Sequence, residues 1–166
     1  MSTIILNMQM ACSNPTKSPN QRYFYQWLDA VFFQYKQDKE ITIRIVDALE
    51  SQILNFRYRG KNQPTNVLSF PFNPPSYIGL PFIGDLVICC SLVEQEAKQQ
   101  NKGLLEHWAH LVIHGSLHLL GYDHIQDSDA IEMQLIEKQL MLSLGYSDPY
   151  VIRSESCHVL DQRSLL

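Results

Sequence analysis

Several things are scarce in this 166-residue chain, and each scarcity closes a class of protein. Cysteine occurs four times, at positions 12, 89, 90 and 157, and no pair has C-x-x-C spacing. Neither a disulfide framework nor a cysteine-ligated zinc ribbon fits that arrangement, whereas buried free thiols in a reducing compartment do. Long apolar runs are missing. The longest uncharged stretch, residues 62–84, contains five prolines, which no membrane-spanning helix would carry. The first residues lack a basic region, and Asn7 and Gln9 interrupt their apolar neighbours, so no targeting segment is expected and the expected location is cytoplasmic. An excess of basic residues is also missing: 13 Lys and Arg face 17 Asp and Glu, a net charge of −4. At the level of totals this excludes a strongly basic nucleic-acid binder. There is no internal repeat and no low-complexity tract. What remains is 45% apolar and 18% charged, the composition of one globular domain with room for a tail.

The total charge hides an asymmetry. Residues 1–84 hold eight basic against five acidic residues, a net +3, and residues 85–166 hold five against twelve, a net −7. An anionic ligand would prefer the first half and a cation the second, although two solvated faces would look the same. Periodicity predicts strands near residues 6–10, 41–45, 66–70 and 85–89. It predicts helices over 21–36, from Asp47 to about Tyr58, from Ser91 to Gly103, over 104–120, and from about Asp129 to Leu144. Asp47 with Glu50 and Ser91 with Glu94 have the form of capping boxes, and Gly60 and Gly145 stand where helices should end. The expected class is α+β: a single domain with a roughly four-stranded mixed sheet flanked by helices. Residues 147–166 have no clear period and read as a loosely packed tail.

Four of the six histidines, His107, His110, His114 and His118, fall within about 80° of one face of the helix predicted over 104–120. His114 and His118 are an i, i+4 pair able to converge on one ion. Gly121 can end the helix and turn the chain, so that His124 swings back toward the pair. The pattern H-x-x-x-H-x-x-G-x-x-H has the spacing of the metzincin zinc site, where three imidazoles leave a fourth position open. His107 and His110 lack a turn and a third histidine of their own and read as flanking residues.

One absence decides the chemistry. In H-E-x-x-H peptidases the glutamate is the general base, and here that position is Gly115. A peptidase by that route is therefore not expected. Asp123 could orient a ligand or simply cap the turn. A water held by a divalent ion could still act as a nucleophile near neutral pH, because the ion lowers its pKa to about 7. Arg57, Arg59 and Lys61 put three cations at the end of a helix, a cluster that suits either a phosphodiester or the helix dipole.

Three segments carry a resemblance. LNFRYRGKNQPTNVLSFP at 54–71, GDLVIC at 84–89 and HGSLHLLGYDH at 114–124 resemble the three signatures of the YbeY family, and the likeness extends through GYSDP at 145–149. The resemblance implies a domain over residues 1–149, with 150–166 beyond the family core. It implies a metal-dependent endoribonuclease acting on single-stranded RNA, with a role in ribosomal RNA maturation, notably the 3′ end of 16S rRNA, and in ribosome quality control. It implies one zinc ion per chain on His114, His118 and His124, and maps the family's functionally important arginine to Arg59. The partners it implies are ribosomal RNA, the small ribosomal subunit and the GTPase Era, with no membrane. The sequence departs from the family at Asn62, where an aspartate is common. Attack by water and attack by the RNA's own 2′-OH both fit these residues. The rival reading is a non-catalytic ribosome assembly factor with a structural zinc site; three ligands rather than four argue against it.

Overall fold

The computed structural model describes residues 3–75 and 78–151. Four strands, β1 (Ile4–Met10), β2 (Lys39–Val46), β3 (Val67–Pro71) and β4 (Phe82–Cys89), form one sheet in the order β1-β2-β4-β3. β1, β2 and β4 are parallel, and β3 runs antiparallel to β4 at the edge. Five helices surround it: α1 (Gln21–Phe32), α2 (Ala48–Arg59), α3 (Cys90–Gln99), α4 (Leu104–Leu119) and α5 (Asp127–Ser143). This is the expected α+β class with a four-stranded mixed sheet. The part of the tail at residues 152–166, and Cys157 within it, lie outside the described residues.

Strand alternation sorts the side chains onto two faces. Ile41, Ile43 and Ile45 of β2 and Leu86 and Ile88 of β4 face α1 and α4, with Trp27 and Trp108 in the same core. Val46, Leu68, Val87 and Cys89 face the other way, under α2, where Leu54 and Phe70 pack against them. The first face buries far more apolar surface, and it is the one on which α4 is seated. Cys12, Cys89 and Cys90 are buried and unpaired, as their spacing implied.

Several boundaries differ from the sequence reading. α1 stops at Phe32, four residues early. Asp47 is the N-cap of α2, but its carboxylate is taken by the Ser13 backbone N–H and hydroxyl, and Glu50 pairs with Arg44 instead. The 47–50 capping box therefore does not form. Ser91 does not cap α3: the helix runs directly out of β4 at Cys90, and Ser91 lies inside its first turn. Gly103, expected to end α3, is the N-cap of α4. At the other end, Pro149 is buried and its carbonyl accepts from the Lys102 ammonium at 2.7 Å.

Gly84 opens the segment that carries Asp85. Its φ is +146°, and a Cβ there would lie 2.4 Å from the Phe70 carbonyl oxygen and 2.8 Å from a Leu119 methyl. Backbone cannot move aside as a side-chain tip can. Gly84→Ala should lower unfolding stability by about 2–4 kcal/mol, from combined backbone strain and overpacking, read as a lower urea midpoint at unchanged slope.

Candidate metal centre and cleft

α4 lies against β3 and β4 because it has a glycine where it crosses them. A Cβ at Gly115 would meet a Leu86 methyl at 2.8 Å, the Ser69 hydroxyl at 3.2 Å and a Val67 methyl at 3.3 Å. The Ser69 hydroxyl donates to the Gly115 carbonyl at 3.1 Å. The position that carries the glutamate in H-E-x-x-H peptidases is thus pressed onto the sheet, with no room for a side chain. His114 and His118 are consequently the groups α4 presents to the cleft.

The tautomers of these two rings follow from their partners. His114 Nδ1 lies 2.6 Å from Glu137 Oε1, and a carboxylate can only accept, so Nδ1 carries the proton and Nε2 is bare. His118 Nδ1 lies 2.9 Å from the Tyr122 carbonyl, so the same holds there. The two Nε2 atoms are 3.1 Å apart. With both protons committed elsewhere, that contact is two lone pairs facing each other, which a cation between them turns from repulsive to attractive. Nitrogens bound about 2.05 Å from a tetrahedral zinc lie about 3.3 Å apart, close to this separation. The ligating atoms of His114, His118 and His124 all lie within 4.8 Å of one another, the one such group among the described residues. Neutral imidazoles are the donor set that zinc and its neighbours prefer, so the residues fit a divalent ion.

The turn after α4 supplies both the third imidazole and the second tautomer lock. Gly121 has a φ of +99°, open to glycine and strained for other residues. Its N–H donates to the His118 carbonyl and the Tyr122 N–H to the Leu117 carbonyl, the paired bonds of a Schellman turn. The reversal brings the His124 ring to 5.1 Å from that of His118 and aims the Tyr122 carbonyl at His118 Nδ1. Asp123 is exposed and accepts from the His124 backbone N–H at 2.7 Å, so it caps the turn. Burial, then the neighbouring His114, pushes His118 below the ordinary histidine range and favours its neutral, ligating form.

Glu137 is the residue the sequence reading missed. Its side chain is fully buried on α5, yet it is a carboxylate. It accepts from His114 Nδ1, from His110 Nε2 at 2.9 Å and from the Tyr150 hydroxyl. Burial pushes its pKa up, but the His110 and His114 hydrogen bonds overcome that and hold it down at about 2. Burial pushes His110 down, and its other nitrogen has no hydrogen-bond partner among the described residues, so His110 donates as a neutral ring. Burial, followed by Glu137, pushes the Tyr150 hydroxyl up, keeping it a donor. His107 likewise serves another group, donating to Glu96 at 2.9 Å. The two flanking histidines are therefore not in the His114–His118–His124 cluster. A signal for Glu137 was present: Met133, Glu137 and Met141 are the buried positions of α5, spaced by four, and the middle one is charged.

A cleft of about 670 Å³ runs from the three histidines along β3 to Arg59. Arg59 is exposed at the end of α2 and has no ion pair with any described residue. Of the other cations, Arg57 lines a separate hollow on α2, and Lys61 lines neither. Three imidazoles, a free guanidinium and the missing glutamate suit an anionic ester better than a peptide.

Two outcomes are expected at this centre. Glu137→Gln should weaken zinc affinity 10–100-fold in a chelator competition, because His114 loses its charged partner. A divalent ion loaded at these rings should leave as pH falls below about 5, since protons compete for the same ring nitrogens, and a dye-based release assay reads this directly.

The cleft is lined by residues of two of the three sequence signatures, 54–71 and 114–124, while the third, 84–89, lies on β4 and lines the neighbouring hollow. A model of the family described as endoribonuclease YbeY matches residues 7–145. The solution structure of TM1509 from Thermotoga maritima superposes with a TM-score of 0.59 at 25% identity, over 82% of this chain and 87% of that one. With the family model spanning most of the chain, including all three histidines and Arg59, the protein belongs to the YbeY family of metal-dependent, rRNA-processing endoribonucleases.

Proposed function

We propose that this chain cleaves single-stranded RNA at the cleft between Arg59 and the three histidines, in maturation of the 16S rRNA 3′ end and in ribosome quality control. The reading takes zinc, one ion per chain, as the metal, and His114, His118 and His124 as its ligands. The observation that carries it is the pair of bare Nε2 atoms 3.1 Å apart, in the same cleft as an unpaired arginine. When bound, the ion supplies positive charge and Lewis acidity at the scissile phosphate. Arg59 binds the phosphate oxygens through its planar fork of donors and offsets the charge that grows on them in the transition state. Glu137 holds the His114 ring in its ligating orientation, and the Tyr122 carbonyl does so for His118. Gly115 leaves no carboxylate beside the ligands on α4, which separates this chemistry from peptide hydrolysis.

The domain carrying this activity is taken as residues 1–149, working in the cytoplasm. A net charge of −4 means weak affinity for free RNA, so the natural context is the small ribosomal subunit, with the GTPase Era as an associated partner.

Variants at the two ends of the cleft separate metal binding from phosphate binding. His118→Ala should lose zinc and cleavage together. Arg59→Ala should keep one zinc per chain and lose about 100–1,000-fold in kcat/KM on a defined single-stranded RNA. A His118→Ala protein that retains zinc and full cleavage would overturn the assignment.

A further inference from the structure

Beside the cleft lies a second hollow, of about 500 Å³, on the α2 face of the sheet. α2 covers only part of that face: Leu54 packs over Val46, Leu68 and Val87, while Thr42 and Asp85 line the hollow. The sheet register aligns three of its residues in a row. Thr42 pairs with Asp85, and Asp85 pairs with Phe70. Tyr58 stands over the aromatic end, its ring centroid 5.1 Å from that of Phe70 at 72°. Tyr58 is 60% exposed, and it and Phe70 line both this hollow and the cleft. The two cavities therefore adjoin across an aromatic pair.

The charges exclude a second phosphate site. Arg44 is occupied by Glu50, at 2.6 and 3.0 Å, and by Gln9. Asp85 has no cationic partner among the described residues; its carboxylate accepts from the Thr42 hydroxyl alone. Burial raises the Asp85 pKa and the Thr42 hydrogen bond opposes that rise. The hollow thus offers a half-buried carboxylate with unused acceptor capacity, a hydroxyl, and an aromatic wall. That combination matches a nucleobase, which needs a flat face to stack on and hydrogen-bonding partners at its edge. Single-stranded RNA splays its bases outward, so a strand with its phosphate near Arg59 has a neighbouring base within reach of Tyr58.

Resting on the nuclease reading of the cleft, we propose that this hollow is a base-recognition subsite in which Tyr58 and Phe70 stack a nucleobase and Asp85 reads its edge. A carboxylate accepts from two adjacent N–H groups, and among the four bases guanine presents that pair, N1–H and the N2 amine. The preferred occupant is therefore a guanine flanking the cleaved bond. One bidentate contact of this kind discriminates by about 1–3 kcal/mol, or roughly fivefold to 150-fold.

The test uses zinc-loaded protein and single-stranded RNAs in which one nucleotide beside the cleaved bond is guanosine, inosine, uridine or abasic. At one of the two flanking positions, guanosine should exceed inosine and uridine at least fivefold in kcat/KM. Asp85→Asn should bring those ratios within twofold. Thr42→Val, which removes the hydroxyl that orients Asp85, should weaken them and serves if Asp85→Asn does not fold. Tyr58→Ala should slow all base-bearing substrates about tenfold and leave the abasic one unaffected. In parallel, GpGpG and not UpUpU should shift the backbone amide signals of Thr42, Asp85 and Phe70. Cleavage with no base dependence overturns the subsite and leaves the nuclease reading standing. Guanine-dependent shifts in a protein that cuts no RNA uphold the subsite and overturn the nuclease reading. The same amides responding to an arginine-rich peptide but not to GpGpG overturn it in favour of a protein partner.

Discussion

Two imidazole nitrogens face each other at 3.1 Å with no proton to share, and much of the molecule exists to keep them there. Left alone, the two lone pairs would drive the rings apart. His114 is fixed from behind by Glu137, which His110 and Tyr150 hold in turn. His118 is fixed by a carbonyl that only the turn at Gly121 delivers. A buried carboxylate is tolerated when donors surround it, and Glu137 has three. Gly115 lets the helix bearing both rings settle onto the sheet, and the same contact removes the position from which a peptidase's base would work.

How much of this was legible in the sequence depends on the range of the interaction. Strand alternation and the histidine spacing are short-range, and β2, β4, α4 and the turn at Gly121 followed them closely. Capping residues were misread where a distant group competed. Asp47 serves Ser13 rather than its own helix, and Glu50 serves Arg44. Glu137 lies 23 residues from the histidine it orients, and nothing in local periodicity links the two. Its only trace was a charge in the middle of a methionine stripe. The cluster at 57–61 shows the same limit: spacing groups Arg57, Arg59 and Lys61, whereas the end of α2 sends only Arg59 into the cleft.

The charge count reads differently with the fold in view. An acidic total of −4 argues against broad electrostatic capture of RNA, and the cleft is not a basic groove. Positive charge is concentrated instead at two points, Arg59 and the ion that the histidines suit, one at each end of a short track along β3. The sheet beyond that track is polar with a carboxylate, suited to a base rather than a phosphate. Local chemistry therefore decides what binds where.

The most direct measurement is the scalar coupling between cadmium-113, loaded as the divalent ion, and the ring nitrogens of 15N-histidine-labelled protein. The account predicts couplings to Nε2 of His114 and of His118 and to one nitrogen of His124, with Nδ1 of the first two protonated. Coupling through Nδ1 of His114, or an ion held by groups other than these three rings, would contradict it.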